Sequence, residues 1–279
     1  MKLYRTTEGF FVEHEAKFYK IPTFIWDEVV NRDDLYDYLL GVTASTPPHA
    51  LGLPSSLVAP VGTQEVWAAG VTYYRSKIAR MEESKDAGGG TFYDKVYDAE
   101  RPEIFFKATA RRVVGPSGQV CIRPDSTWDV PEPEWTLFAT SSGKIVAYTI
   151  GNDMSSRSIE GENPLYLPQA KMYDGSAALG PCLYVPKEPM PVETAIHLEI
   201  VRDGKRVFEG QTTLEQLKRK PEELVSYLFR SNTFPVGVFL MTGTGLIPSN
   251  DFTLKVGDEV KISIDNIGTL TNTVAMTKS

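Results

Sequence analysis

Histidine is scarce in this chain. Its 279 residues include three, His14, His49 and His197, and none stands in an HxH, HxxxH or HExxH spacing. A histidine-rich zinc site or a compact Ser-His-Asp triad therefore has little to be built from. Cysteine is scarcer: Cys121 and Cys182 form no CxxC pair and no framework of bridges. Two buried free thiols in a reducing, cytoplasmic setting are expected. Long apolar runs are absent, and none approaches the roughly 18 residues that a bilayer span requires. The opening stretch Met1-Lys2-Leu3-Tyr4-Arg5-Thr6-Thr7-Glu8 has charge but no apolar segment behind it, so no secretory signal is expected there. Basic residues are in deficit, 29 against 36 acidic ones, for a formal net charge of −7. A net-acidic chain without a basic stripe is a poor partner for nucleic acid and for anionic membranes. What is abundant is apolar surface: 42% of the residues are hydrophobic, enough to bury a core and to exclude disorder for the bulk of the chain. If the protein is an enzyme, carboxylates and lysine are left to do the chemistry.

Residues 1–60 read as a small N-terminal α/β unit and 61–279 as a larger one. The first has short β-like runs at Gly9-Phe10-Phe11-Val12 and Phe18-Tyr19-Lys20-Ile21, a helix over 28–40, and a proline-rich stretch with Pro47, Pro48, Pro54 and Pro60. Beyond it, Val66-Trp67-Ala68-Ala69 reads as a buried strand, followed by a helical stretch over 74–84. The segment 85–100 centres on Gly88-Gly89-Gly90, which cannot hold a helix or strand; it reads either as a surface loop or as a lid over a site. Ser141-Ser142-Gly143-Lys144 and Asp203-Gly204-Lys205 each separate two strand-like runs and signal hairpins. Residues 214–230 read as mostly helical, with Pro221, Glu222 and Glu223 suited to a first turn, and 238–241 and 259–265 as strands. The class is β-rich α+β, without the regular βαβ alternation of a doubly wound sheet.

The segment Pro131-Glu132-Pro133-Glu134 carries the sharpest chemical signal. Residues i and i+2 of a strand share a face, so Glu132 and Glu134 project together. If Ser142-Gly143 is a two-residue loop, paired positions sum to 285, and Glu132 lies opposite Asp153. Directly opposed residues share a face with Cβ atoms roughly 4.5–5.5 Å apart. Two readings follow. Either the three acids are solvated at a strand entry and a turn, or they converge around a cation, because mutual repulsion disfavours an unneutralised trio. Oxygen-only ligation suits Mg²⁺, with Mn²⁺ or Ca²⁺ as alternatives. A one-residue slip would send Asp153 to the other face.

Six strings occur in order: Pro102-Glu103-Ile104-Phe105-Phe106-Lys107, Pro131-Glu132-Pro133-Glu134, Gly151-Asn152-Asp153-Met154-Ser155-Ser156-Arg157, Leu179-Gly180-Pro181, Thr242-Gly243-Thr244 and Val256-Gly257-Asp258-Glu259-Val260. Each is weak alone. Together, over about 65–275, they resemble the fumarylacetoacetate hydrolase family. Tyr93-Asp94-Lys95-Val96-Tyr97-Asp98-Ala99 and Glu162-Asn163-Pro164-Leu165-Tyr166-Leu167-Pro168-Gln169 are similar to its branch of 2-keto-3-deoxy sugar-acid dehydratases. The resemblance implies a small N-terminal domain (1–60), a catalytic domain of layered, mixed β-sheets (61–279), and a homodimer or homotetramer. It implies that Glu132, Glu134 and Asp153 bind the divalent metal, that Lys171 lines the metal site, that Glu103 is an acid–base residue and that Thr244 contacts the substrate carboxylate. Arg157 matches a family arginine of structural character. The plainer reading of Glu103 is an ion pair with Arg101 or Lys107, and that of Lys171 is a surface lysine.

The chain departs from the hydrolases of the family at one point. They carry a histidine after an Asn-Tyr pair, where it helps to activate water; here Thr72 takes the asparagine position and Ser76 the histidine position. The implied activity is divalent-metal-dependent dehydration of a 2-keto-3-deoxy sugar acid of the D-arabinonate type to 2-ketoglutarate semialdehyde. The substrate is a small 2-ketoacid, with Lys171 and Glu103 as the proton-transfer pair. The alternatives on the same scaffold are acylpyruvate-type C–C hydrolysis and isomerisation or decarboxylation of a dioate.

Overall fold

The computed structural model describes residues 1–53, 56–75, 78 and 95–278. The Gly88-Gly89-Gly90 stretch, Ser76 and most of the helix expected over 74–84 lie outside them. Seventeen strands dominate the described residues: β1 (Lys2–Thr6), β2 (Gly9–His14), β3 (Lys17–Lys20), β4 (Glu65–Gly70), β5 (Glu103–Thr109), β6 (Val113–Val114), β7 (Gln119–Ile122), β8 (Asp129–Val130), β9 (Pro133–Ala139), β10 (Ile145–Asp153), β11 (Ser155–Ser156), β12 (Ala177–Tyr184), β13 (Ala195–Arg202), β14 (Lys205–Thr213), β15 (Val238–Met241), β16 (Glu259–Ile264) and β17 (Gly268–Met276). Helices are few and short: Trp26–Val30, Leu35–Ser45, Arg157–Glu162, Leu167–Lys171 and Pro221–Leu228.

A large mixed sheet runs β3-β2-β1-β12-β10-β9-β15-β4-β5, with β6 added beside β12; a second sheet runs β14-β13-β16-β17-β7. The middle strands of the large sheet are buried on both faces. All seven residues of β9 and all four of β15 are buried; β15 accordingly reads as an unbroken apolar run rather than an alternating one, whereas β9 buries Glu134 and Thr136 among its apolar residues. Two cores result. One lies between the sheets, where Trp135, Leu137, Ile150 and Leu240 meet Ile196, Leu198, Val260, Ile262 and Val274. The other covers the opposite face, where Phe138, Phe239 and Met241 meet Trp26, Val29, Leu35 and Leu39 from the N-terminal helices. Each such side chain contributes about 1.5–3 kcal/mol by leaving water. Residues 1–60 are hydrogen-bonded to the rest through β1 and β12, with Lys2 opposite Tyr184 and Leu3 opposite Leu183.

The hairpin between β9 and β10 positions the site. Its ladder pairs Asn152 with Pro133, Gly151 with Glu134 and Tyr148 with Leu137, and the Asp153 N–H donates to the Glu132 carbonyl at 3.0 Å. The expected opposition of 132 and 153 is therefore met, but not by the expected turn. The Gly143 N–H donates to the Thr140 carbonyl and the Thr140 N–H to the Lys144 carbonyl, so the loop is one residue longer than two. A register shift between Ile145 and Ala147 inserts one extra residue into β10 and restores the pairing.

Candidate active site

Glu132, Glu134 and Asp153 converge at the open end of this hairpin, with a carboxylate oxygen of each within 4.8 Å of the others. All three are buried, Glu134 and Asp153 to 1% exposure. At an effective dielectric near 20, each pair of charges at such a distance repels by about 3–4 kcal/mol. Three cations answer them. Lys171, at the end of the helix Leu167–Lys171, is fully buried; its Nζ donates to Glu132 Oε2 at 2.5 Å, Asp153 Oδ2 at 3.1 Å and Ser155 Oγ at 2.5 Å. Arg157, which opens the helix Arg157–Glu162, donates to Glu132 Oε1 at 2.7 Å. Lys107 lies 2.5 Å from Asp153 Oδ1.

The acids differ in what faces them. Burial pushes the Asp153 carboxyl up, but Lys107 and Lys171 outweigh it and hold the group below the ordinary range. Glu134 accepts from the Gly243 N–H at 2.5 Å. Burial, then the charges of Asp153 and Glu132, raise its carboxyl well above the ordinary range, against the opposing pull of Lys171. A carboxyl so raised keeps a proton until a stronger positive charge arrives. Three converging hard oxygen donors, one of them with its charged form disfavoured for want of positive charge, fit a divalent ion of the Mg²⁺ kind. The enclosed space among Phe105, Glu132, Glu134, Asp153, Lys171 and Thr244 is about 10 Å³, on the order of what one water-sized species fills.

Glu103 stands apart from the trio. It pairs with Gly70 across β4 and β5, and a methyl group added at Gly70 would overlap its carboxylate, so only glycine lets the acid lie over the backbone there. Gly70 itself lines the site. Glu103 Oε2 is buried without a hydrogen-bond partner, and neither Arg101 nor Lys107 forms an ion pair with it; Arg101 instead sits over the Tyr227 ring. Thr244 lines the same cavity, with its hydroxyl 3.2 Å from both the carbonyl and the N–H of Leu246. Thr72 is buried behind it and donates to the Thr242 carbonyl at 2.6 Å. No histidine lines the cavity among the described residues.

Sequence reasoning missed two members of this constellation, Lys107 and Ser155. The signal for Lys107 was available. In β5, Glu103, Phe105 and Lys107 follow at i, i+2 and i+4 and share a face, so an acid assigned to the site brings the lysine with it. Ser155 stands two residues after Asp153, but beyond the end of β10, and its contact with Lys171 depends on where the helix Leu167–Lys171 folds back.

Comparisons with known proteins bear on the family and the fold. A family description of the fumarylacetoacetate (FAA) hydrolase C-terminal region matches residues 138–275. A probable 2-keto-3-deoxyxylonate dehydratase of Haloferax volcanii is 50% identical over 216 residues, covering 77% of this chain and 73% of that protein. A 2-dehydro-3-deoxy-D-arabinonate dehydratase of Saccharolobus solfataricus is 46% identical over 213 residues, covering 76% and 72%. Among solved structures, a 2-keto-3-deoxy-D-arabinonate dehydratase complexed with magnesium and 2,5-dioxopentanoate superposes with a TM-score of 0.85 at 35% identity, over 100% of both chains. With half of the residues shared over three quarters of a curated relative, and six motifs in order, the chain belongs to the fumarylacetoacetate hydrolase family.

Proposed function

We propose that this protein is a Mg²⁺-dependent dehydratase of a 2-keto-3-deoxy pentonate, working in the cytoplasm as a homodimer or homotetramer. The observation that carries the reading is the buried acid trio with Lys171 bonded to Glu132 and Asp153, and Glu103 beside Gly70 at the edge of that cavity. The relatives named above as sugar-acid dehydratases, one of them holding magnesium and 2,5-dioxopentanoate, support it over C–C hydrolysis, as does a cavity without histidine.

Glu132, Glu134 and Asp153 would hold the ion. When bound, Mg²⁺ supplies Lewis-acid polarisation of a 2-ketoacid. The protein's own groups move the protons. Lys171 takes one from C3, and Glu103 gives one to the C4 hydroxyl, which leaves as water with formation of a C3–C4 double bond. Removal of a proton from C5 and return of one to C3 shift the double bond to C4–C5. The resulting C5 enol takes a proton at C4 and becomes the aldehyde. One water is lost and no external oxidant is needed, because oxidation at C5 is matched by reduction at C4. Thr244 is the proposed contact for the substrate carboxylate. The test is product analysis. Protein stripped with EDTA, then restored with Mg²⁺, is offered 2-keto-3-deoxy-D-arabinonate, its L-epimer and an acylpyruvate. Mg²⁺-dependent loss of one water from a deoxypentonate is expected; release of pyruvate from the acylpyruvate would make the protein a hydrolase.

A further inference from the structure

Lys107 is among the largest side chains wholly removed from solvent. A buried ammonium is costly unless its protons find acceptors, and here three oxygens face it. Nζ donates to the Lys171 carbonyl at 2.5 Å and the Met154 carbonyl at 3.0 Å, and lies 2.5 Å from Asp153 Oδ1. These acceptors belong to two separate parts of the site. Asp153 ends β10 and Met154 follows it, whereas Lys171 ends the helix Leu167–Lys171. Lys107 itself comes from a third element, β5. The Asp153 carboxylate is thereby divided, with Oδ1 facing Lys107 and Oδ2 facing Lys171. Lys171 is gripped twice as well, at its main chain by Lys107 and at its Nζ by Glu132, Asp153 and Ser155.

We propose that Lys107 is a positioning residue for the active site. It locks the rotation of the Asp153 carboxylate so that Oδ2 is presented to the cation, and it fixes the end of the Lys171 helix so that Nζ keeps its place beside that oxygen. Its Nζ is wholly buried, donates to two main-chain carbonyls and is ion-paired with Asp153, so it acts through Asp153 and Lys171 rather than on the reacting atoms. This role rests on the metal-site reading above. Partners that orient a metal ligand from outside the coordination shell are typically worth 10–100-fold in metal affinity.

The experiment uses the full-length protein and two variants, Lys107→Gln, which keeps a donor, and Lys107→Met, which keeps only the bulk. Binding of Mg²⁺ alone is measured by calorimetry, and of Mn²⁺ by electron paramagnetic resonance, without any substrate. Lys107→Met should weaken Mg²⁺ binding 10–100-fold and broaden the Mn²⁺ spectrum, with Lys107→Gln intermediate. At saturating Mg²⁺, kcat should fall at least tenfold while KM changes little, because the base is displaced rather than the substrate pocket. A purely structural lysine would lower the melting temperature and leave metal affinity and kcat per folded molecule within twofold of the parent, which overturns the proposal. If Lys107→Met yields no folded protein, Lys107→Gln is judged by the same criterion. Metal affinity is read without turnover, so a failure of the dehydratase reading, seen as no dehydration by the parent protein, is separate from a failure of this one.

Discussion

At the scale of single residues, the site works by giving three like charges unlike surroundings. Asp153 is held ionised by two lysines, Glu132 is gripped by Lys171 and Arg157, and Glu134 is left with one N–H and two repelling neighbours. This has a consequence for stability. Unfolded, Glu134 titrates near 4.5; folded, it titrates well above that. Between the two values the folded state holds the extra proton, so stability falls as pH rises through that window. The metal-free protein should therefore melt at lower temperature as pH is raised from about 4.5, and Glu134→Gln should flatten that dependence; an unchanged slope in the variant would contradict the assignment. Asp153 acts with the opposite sign, since its depressed value gives stability that is lost only as pH falls through the folded value, below 3.8. Metal must drive the proton off Glu134, so calorimetric titration with Mg²⁺ in buffers of different ionisation heat should register proton release. Glu103 is separable from all of this. Glu103→Gln should lower kcat by about 10²–10⁴ if its proton moves in the slow step, with Mg²⁺ affinity unchanged, and near-parental turnover would remove it from the mechanism.

At the scale of elements, the pairing of β9 with β10 was legible in the sequence and its turn was not. Alternation indicates which residues share a face, while the register was read from an assumed two-residue turn and is kept only because a bulge in β10 offsets the longer loop. The extra loop residue and the extra strand residue cancel, and neither leaves a mark on the hydrophobic pattern. Helices were less legible, because side chains distant in sequence end them. The stretch expected over 28–40 divides into Trp26–Val30 and Leu35–Ser45; between them, Asp33 accepts from the hydroxyls of Thr140 and Ser142. The mostly helical stretch expected over 214–230 divides into a 3-10 turn at Leu214–Gln216 and an α-helix at Pro221–Leu228. Ahead of it the Lys218 N–H goes to the Thr72 carbonyl, a bond that no local pattern announces. The hairpin at Asp203-Gly204 needed no such help. Both residues have positive φ, 51° and 73°, and Arg202 pairs with Lys205 as a two-residue turn requires. The convergence of Glu132, Glu134 and Asp153 could be read from strand arithmetic, whereas Lys171 and Glu103 needed the family resemblance, since they arrive on a helix and on a strand at the far end of the sheet.

At the scale of the whole molecule, the division into 1–60 and 61–279 is kept as a proposal about folding units. The N-terminal helices cover one face of the large sheet, and β1 continues it beyond β12. Removing 1–60 would uncover that face, so the fragment 61–279 should aggregate or melt well below the full chain; a fragment with the parental melting temperature would make the N-terminal unit an independent appendage. The same sheet carries the site at the ends of β4, β5, β9 and β10, which brings the three acids and Lys171 to one small buried space with Glu103 beside it. The claim that this space dehydrates through successive proton transfers is tested most directly by turnover of 2-keto-3-deoxy-D-arabinonate in D₂O with Mg²⁺, followed by NMR. The account predicts 2,5-dioxopentanoate with one solvent deuteron at C3 and one at C4. Product whose C4 carries only hydrogen from C5 would mean a direct hydride shift instead, and the roles given to Lys171 and Glu103 would be wrong.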